Sequence, residues 1–270
     1  MKPAHERAVR HPFAGPRAAS LIAGLCMFAP GGGVAQKPAP NASVDPFVAA
    51  IEIVKRSVVS LDCLEDSGSE AKILERVGTA FLVGDRFLTA AHVVADLQTR
   101  ELLCPVSAIT FPVGDWRPES RKEPMVWFPF RPQGCRVDTA LDIAVCTPGV
   151  DLPGRIRNLN LKAASVQFEW NTPLDGTQVA FTGFPLRARD LMTFRAHVAA
   201  FRTPWPDEPI PELVLDRPTL AGFSGSPVYL ANGKVVAIIL KDGKDDATGV
   251  TIVRPVSVLR EMLRERLERK

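Results

Sequence analysis

The sequence predicts an all-β protein. Three observations point there. A dozen short runs are rich in Val, Ile, Phe and Thr, Gly, Pro and Asp punctuate them, and helical spacing is confined to an opening segment and the C-terminus. Hydrophobic residues make up 46% of the 270, enough to fill a core, which excludes collagen-like and disordered chains.

Pro46 to Lys55 places Phe47, Ile51 and Val54 on one face, which predicts a short helix. Ser57 to Cys63 reads as the first strand. Gly78 to Val83 and Arg86 to Ala90, joined by Gly84-Asp85, read as a hairpin with a two-residue turn. Further strands are expected at Val106 to Phe111, Met125 to Phe130, Leu141 to Cys146, Gln178 to Thr182, Thr193 to Phe201, Glu212 to Leu215, Pro227 to Leu230, Lys234 to Leu240 and Val250 to Val253. Such short, punctuated strands suit a sandwich or barrels. From Pro255 to Lys270, Val258 and Met262, then Leu259, Leu263 and Leu267, recur at helical spacing, so an amphipathic helix is expected there.

The N-terminus reads as an export signal. Residues 1–17 carry Lys2, Arg7, Arg10 and Arg17 against Glu6, and residues 18–29 are uncharged and largely apolar. Gly33-Val34-Ala35 offers small residues for cleavage before Gln36. The apolar run is too short to span a bilayer, which takes roughly 20 residues. Residues 1–35 are therefore expected to be a signal peptide, with an uncleaved anchor as the alternative. Residues 36–46 form a Pro- and Ala-rich linker and 47–270 the folded unit. The formal charge of +3 lies wholly in the signal segment, so the remainder is balanced and gives no support for a nucleic-acid or membrane partner. The expected location is periplasmic or extracellular.

Removing Cys26 with the signal leaves Cys63, Cys104, Cys135 and Cys146. An even number in an exported chain favours two disulfides, with three possible connectivities. Cys63–Cys104 with Cys135–Cys146 is preferred, because the second pair flanks a candidate hairpin; buried free thiols are the alternative. No C-x-x-C spacing, phosphate-binding loop or dinucleotide fingerprint occurs, so neither a metal nor a cofactor is expected.

Three motifs carry chemistry. Thr89-Ala90-Ala91-His92-Val93-Val94 holds one of only two histidines left after the signal, and histidine is the natural general base near neutral pH. Leu141-Asp142-Ile143-Ala144-Val145 sets an acid in what reads as an apolar strand, and a buried carboxylate needs a partner such as a histidine N–H. Gly222-Phe223-Ser224-Gly225-Ser226-Pro227 flanks a serine with glycines, which permit a tight turn and convergent backbone N–H groups. Each alone has a bland reading: a satisfied histidine, a solvent-facing acid, an ordinary turn. Their order of His, Asp, Ser differs from that of the α/β-hydrolases and of the subtilisins.

These blocks resemble the trypsin/chymotrypsin-like serine proteases, and among them the bacterial trypsin-like peptidases. GTAFLVGDRFLTAAHVV (78–94) is similar to that family's histidine block, LDIAV (141–145) to its aspartate strand, and GFSGSPVYLANGKVVAII (222–239) to its serine block. QVAFTGFP (178–185) resembles the strand that opens the second barrel. The resemblance implies two antiparallel six-stranded barrels, at about 47–165 and 166–254, followed by a C-terminal helix at 255–270. It implies that Ser224 is the nucleophile, His92 the general base and Asp142 the orienting carboxylate, with the N–H groups of Gly222 and Ser224 as an oxyanion hole. The expected partner is a protein or peptide substrate, with no nucleic acid and, after signal cleavage, no membrane.

Departures from the family's pattern are few. Phe223 and Ser226 stand where the common block has Asn and Gly. The strand after the serine block lacks the histidine of glutamyl endopeptidases, so Glu specificity is not implied. Val93 replaces the cysteine common in animal members. Asp216 lies near where the specificity pocket would have its base. His197, in a strand pattern, reads as structural. Asn41-Ala42-Ser43 matches a glycosylation acceptor. Two other function classes compete: a catalytically silent relative that binds a protein partner through the cleft, and an exported β protein that binds nucleic acid or envelope. The last would need basic clusters interleaved with aromatics, whereas Arg260 to Lys270 alternates in charge like a solvated helix face.

Overall fold

The computed structural model describes residues 45–65, 72–104, 106–112, 125–148, 150–159, 161, 163–185, 190–202, 210–241 and 249–268. The expected signal peptide, nearly all of the linker, Cys26 and the Asn41 acceptor lie outside the described residues.

Helix α1 (Pro46–Lys55) forms where expected. Proline occupies its first turn, and Asp45 caps it by accepting from the Phe47 N–H at 2.9 Å. It buries Phe47, Ala50 and Val54, while Ile51 is only half-buried.

Seven strands follow: β1 (Val58–Glu65), β2 (Lys72–Val83), β3 (Arg86–Ala90), β4 (Ser107–Pro112), β5 (Met125–Phe130), β6 (Cys135–Asp138) and β7 (Ile143–Cys146). They form one antiparallel sheet in the order β5-β4-β1-β2-β3-β7-β6. The β2–β3 hairpin turns on Gly84-Asp85, with Gly84 at φ 64°, a conformation glycine adopts at little cost. Helix α2 (Leu152–Asn158) follows β7, capped by Asp151, whose carboxylate accepts from the Gly154 N–H at 3.0 Å.

Strands β8 (Gln178–Gly183), β9 (Met192–Arg202), β10 (Glu212–Leu215), β11 (Pro227–Tyr229), β12 (Val235–Lys241) and β13 (Thr251–Pro255) close into a six-stranded antiparallel barrel, as expected. A 3₁₀ turn (Val256–Leu259) leads into α3 (Arg260–Glu268), the expected terminal helix. It buries Leu263 and sets Arg260 over the Trp170 ring at 5.4 Å.

The first unit differs from expectation in three ways, the first being that its sheet curls as a half-barrel and does not close as the second unit does. It has seven strands rather than six, because β6 forms from Cys-Arg-Val-Asp, a segment half charged and only partly buried, which carries no apolar run. The expected strand from Leu141 begins instead at Ile143, because Leu141 and Asp142 belong to the turn between β6 and β7.

Both preferred disulfides are present. Cys63–Cys104 ties β1 to the segment after the histidine, with Cα atoms 5.6 Å apart. Cys135–Cys146 joins directly opposed residues of the β6–β7 hairpin. Two apolar clusters fill the interior. One runs from the first sheet, where Phe87 and Phe130 meet edge-on at 5.0 Å, to α1, the outside of the barrel at Tyr229 and Ile238, and Leu263 of α3, and the other fills the barrel around Phe181 and Phe223.

Candidate active site

Strand pairing brings His92 and Asp142 together across 50 residues of chain. Strand β3 pairs with β7 so that Ala90 faces Ile143. One step further, the Ala91 N–H donates to the Asp142 carbonyl at 3.0 Å. His92, in the 3₁₀ turn Ala91–Val93, then presents both its N–H groups to one carboxylate. The backbone N–H donates to Oδ1 at 3.0 Å, and Nδ1 lies 2.8 Å from Oδ2. A carboxylate only accepts, so the ring proton sits on Nδ1 and leaves Nε2 with its lone pair. Asp142 is 7% exposed and has φ 54°. That left-handed backbone is incompatible with the strand expected for it, and Asp tolerates it better than most residues. The turn aims the carboxylate at the histidine.

The serine lies between β10 and β11, in two successive turns. The Phe223 N–H donates to the Leu220 carbonyl at 3.1 Å, and the Ser226 N–H to the Phe223 carbonyl at 2.8 Å. Each turn has a glycine with positive φ at its third position, Gly222 at 98° and Gly225 at 85°, as type II turns require. Among the described residues, the N–H groups of Gly222 and Ser224 have no hydrogen-bond partner. Phe223 points the other way and is fully buried, with its ring 5.4 Å from Phe181 and 5.5 Å from Phe194.

Close packing sets the serine turns against the histidine segment. A Cβ at Gly225 would overlap the Thr79 carbonyl and the Thr89 hydroxyl, and would lie 3.0 Å from the Ala90 nitrogen. A Cβ at Gly78 would sit 2.7 Å from a Val93 methyl and 3.2 Å from the Ser224 carbonyl. These glycines allow the first sheet and the barrel to meet at the motif residues. The Ser224 hydroxyl donates to the Leu240 carbonyl at 3.2 Å, long for an O–H···O bond, and not to His92. A cavity of about 370 Å³ opens beside the Asp142 turn, lined by Ala95, Leu102, Pro132, Val137, Arg100 and Asp138 among others.

Asp138 accepts from the Leu141 N–H, and Asp151 caps α2, so neither competes for the histidine. Asp216 faces His197: its Oδ1 accepts from the His197 backbone N–H at 2.7 Å and its Oδ2 lies 3.0 Å from Nδ1. Sequence reasoning did not single out Thr79, whose hydroxyl lies against the serine turns. Its motif, Gly78-Thr79-Ala80, looks like ordinary strand. Among the described residues, no cluster could hold a metal ion, and no helix is long and apolar enough to cross a membrane.

The structure thus joins an antiparallel sheet and an antiparallel barrel where the segment holding a histidine–carboxylate pair packs against a glycine-flanked serine. The family model described as the trypsin-like peptidase domain matches residues 78–238, more than half the chain, and the chain belongs to that family. It is a serine endopeptidase, a hydrolase acting on peptide bonds. Among solved structures, the active form of the Rv3671c protease from M. tuberculosis is 21% identical, with a TM-score of 0.53 over 81% of this chain and 83% of that one. Its inactive form gives 21% and 0.54 over 82% and 92%. The HtrA-type protease AlgW, solved with a decapeptide, gives 15% and 0.59 over 83% and 68%. At these identities the likeness concerns the fold. No curated protein sequence matches the chain.

Proposed function

We propose that this endopeptidase acts through His92, Asp142 and Ser224, by way of an acyl-enzyme, on exported or extracellular protein. The observation that carries the reading is the double hydrogen bond from His92 to Asp142, set against the glycine-flanked serine turns. Ser224 attacks the peptide carbonyl, His92 Nε2 takes its proton and returns it to the leaving amine, and Asp142 holds the tautomer and stabilises the imidazolium. The free N–H groups of Gly222 and Ser224 stabilise the oxyanion. Water then releases the acyl group. Catalytic hydrogen bonds are commonly long or misaligned without substrate and tighten once it is bound.

Residues 1–35 serve as the signal peptide, 36–46 as linker and 47–270 as the protease unit, divided near residue 166. The signal pattern and two disulfides both support an oxidising compartment. The silent-binder reading draws on the Ser224–Leu240 hydrogen bond, which occupies the hydroxyl. Cleavage of a peptide library by the mature protein, beside Ser224→Ala, separates the two. We expect hydrolysis and fluorophosphonate labelling of the parent, and a loss of at least 10⁴-fold in the variant. A parent inert in both assays would leave the binding role.

A further inference from the structure

We propose that Thr79 is a positioning residue for this reaction: from the sheet that carries the histidine, its hydroxyl fixes the turn that carries the oxyanion donors. The proposal rests on the assignment of Ser224 as nucleophile.

Thr79 lies on β2 and is fully buried. Its backbone N–H donates to the Ser224 carbonyl at 3.0 Å. Its hydroxyl donates to the Gly222 carbonyl at 2.7 Å and accepts from the Phe184 N–H at 2.9 Å. These roles are not interchangeable. Phe184 N–H can only donate and the Gly222 carbonyl can only accept, so the single hydroxyl proton must point at Gly222. Thr79's own carbonyl accepts from the Thr89 hydroxyl at 2.7 Å, which fixes it from the neighbouring strand β3.

The peptide unit joining Gly222 to Phe223 is therefore held at both ends. Thr79 holds its carbonyl, and the Leu220 carbonyl holds its N–H. The units on either side carry the N–H groups of Gly222 and Ser224. Rotating the central unit would re-aim both. Valine is nearly isosteric with threonine but would leave the Gly222 carbonyl and the Phe184 N–H buried without this partner, and the turn would relax to find others. The backbone bond from Thr79 to Ser224 survives any side-chain change, so substitution tests the hydroxyl alone.

Wild type, Thr79→Val, Thr79→Ala and Thr79→Ser are compared for kcat, KM, fluorophosphonate labelling, melting temperature and affinity for a peptide boronic acid, whose oxygen occupies the oxyanion position. Removing an oxyanion donor outright costs about 10²–10³ in kcat, so mis-aiming the donors should cost about 10- to 100-fold. We expect Thr79→Val to lose that factor in both kcat and boronate affinity, with KM nearly unchanged and Thr79→Ser close to wild type. If Thr79→Val does not fold, Thr79→Ala, which leaves space rather than a misfitting methyl, carries the same expectation. A folded variant with wild-type kcat, a serine variant as impaired as valine, or a lower melting temperature with kcat per labelled Ser224 unchanged overturns the proposal. A wild type that neither cleaves nor labels removes the Ser224 assignment itself. A labelling wild type beside an unaffected Thr79→Val overturns only the role of Thr79.

Discussion

The protein builds the same histidine–aspartate pair twice. In the first sheet and in the barrel alike, a histidine gives its backbone N–H to Oδ1 and its Nδ1 lies beside Oδ2 of one aspartate. The surroundings differ. The Asp142 side chain is 10% exposed and the segment flanking His92 packs against the serine turns, whereas the His197 and Asp216 side chains are 51% and 45% exposed on the barrel surface. A held imidazole tautomer is therefore easy to make from a strand and a neighbouring turn. What distinguishes the first pair is burial of the carboxylate and the close packing at Gly78 and Gly225, which sets the serine turns against the histidine segment.

Asparagine substitution tests that contrast with the largest effect. Asp142→Asn leaves one acceptor oxygen facing two N–H groups, so the imidazole proton moves to Nε2, where a base must be vacant. We expect kcat to fall about 10⁴-fold. Asp216→Asn makes the same chemical change at the surface pair and should leave kcat within about twofold. Steady-state kinetics of both variants on one peptide decide it. Comparable losses would mean that the second pair takes part in catalysis.

The sequence made one pair legible and hid the other for physical reasons. Asp142 was conspicuous because an acid beside Ile-Ala-Val must be paired. Its backbone was misjudged because the same apolar neighbours suggest a strand, and nothing in Leu-Asp-Ile signals a left-handed residue at φ 54°. Asp216 carries no such signal: the resemblance set it near the base of the specificity pocket, and its tie to His197 depends on the pairing of β9 with β10. Most strands and the two-residue turn at Gly84 were readable from local pattern. Strand β6 was not, since four residues with two charges carry no apolar run, and only pairing with β7 makes them a strand. Thr79 was invisible because its partners, Gly222 and Phe184, are backbone groups more than a hundred residues away.

A smaller effect sharpens what makes a polar group functional. Ser226 lies two residues from Ser224, fully buried, and its hydroxyl has no hydrogen-bond partner among the described residues. It fills the space over Gly183. An unpaired buried hydroxyl destabilises the fold, so Ser226→Ala should raise stability by about 1 kcal/mol and leave kcat within about threefold. Denaturant midpoints with unchanged m-values provide the measurement. A loss of stability comparable in size would show that the hydroxyl is satisfied in solution.

The smallest effect belongs to the surface pair and concerns pH. The His197 backbone N–H, against an opposing push from desolvation and with smaller help from the His197 side chain, holds the Asp216 carboxyl below its ordinary value of 3.8. A carboxyl that ionises more readily in the folded state stabilises the fold above the unfolded value. That contribution is lost as pH falls through the lowered, folded value. Asp216→Asn should therefore destabilise the protein at pH 7, and the difference should fade as pH falls through the lowered, folded value. Because the pair is about half exposed, solvent screening limits the effect to at most about 1 kcal/mol, or about 2–4 °C in melting temperature. Urea titrations of both proteins from pH 2 to pH 7 resolve it. A pH-independent difference would place the role of Asp216 in packing, and the likeness between the two pairs would then be geometric only.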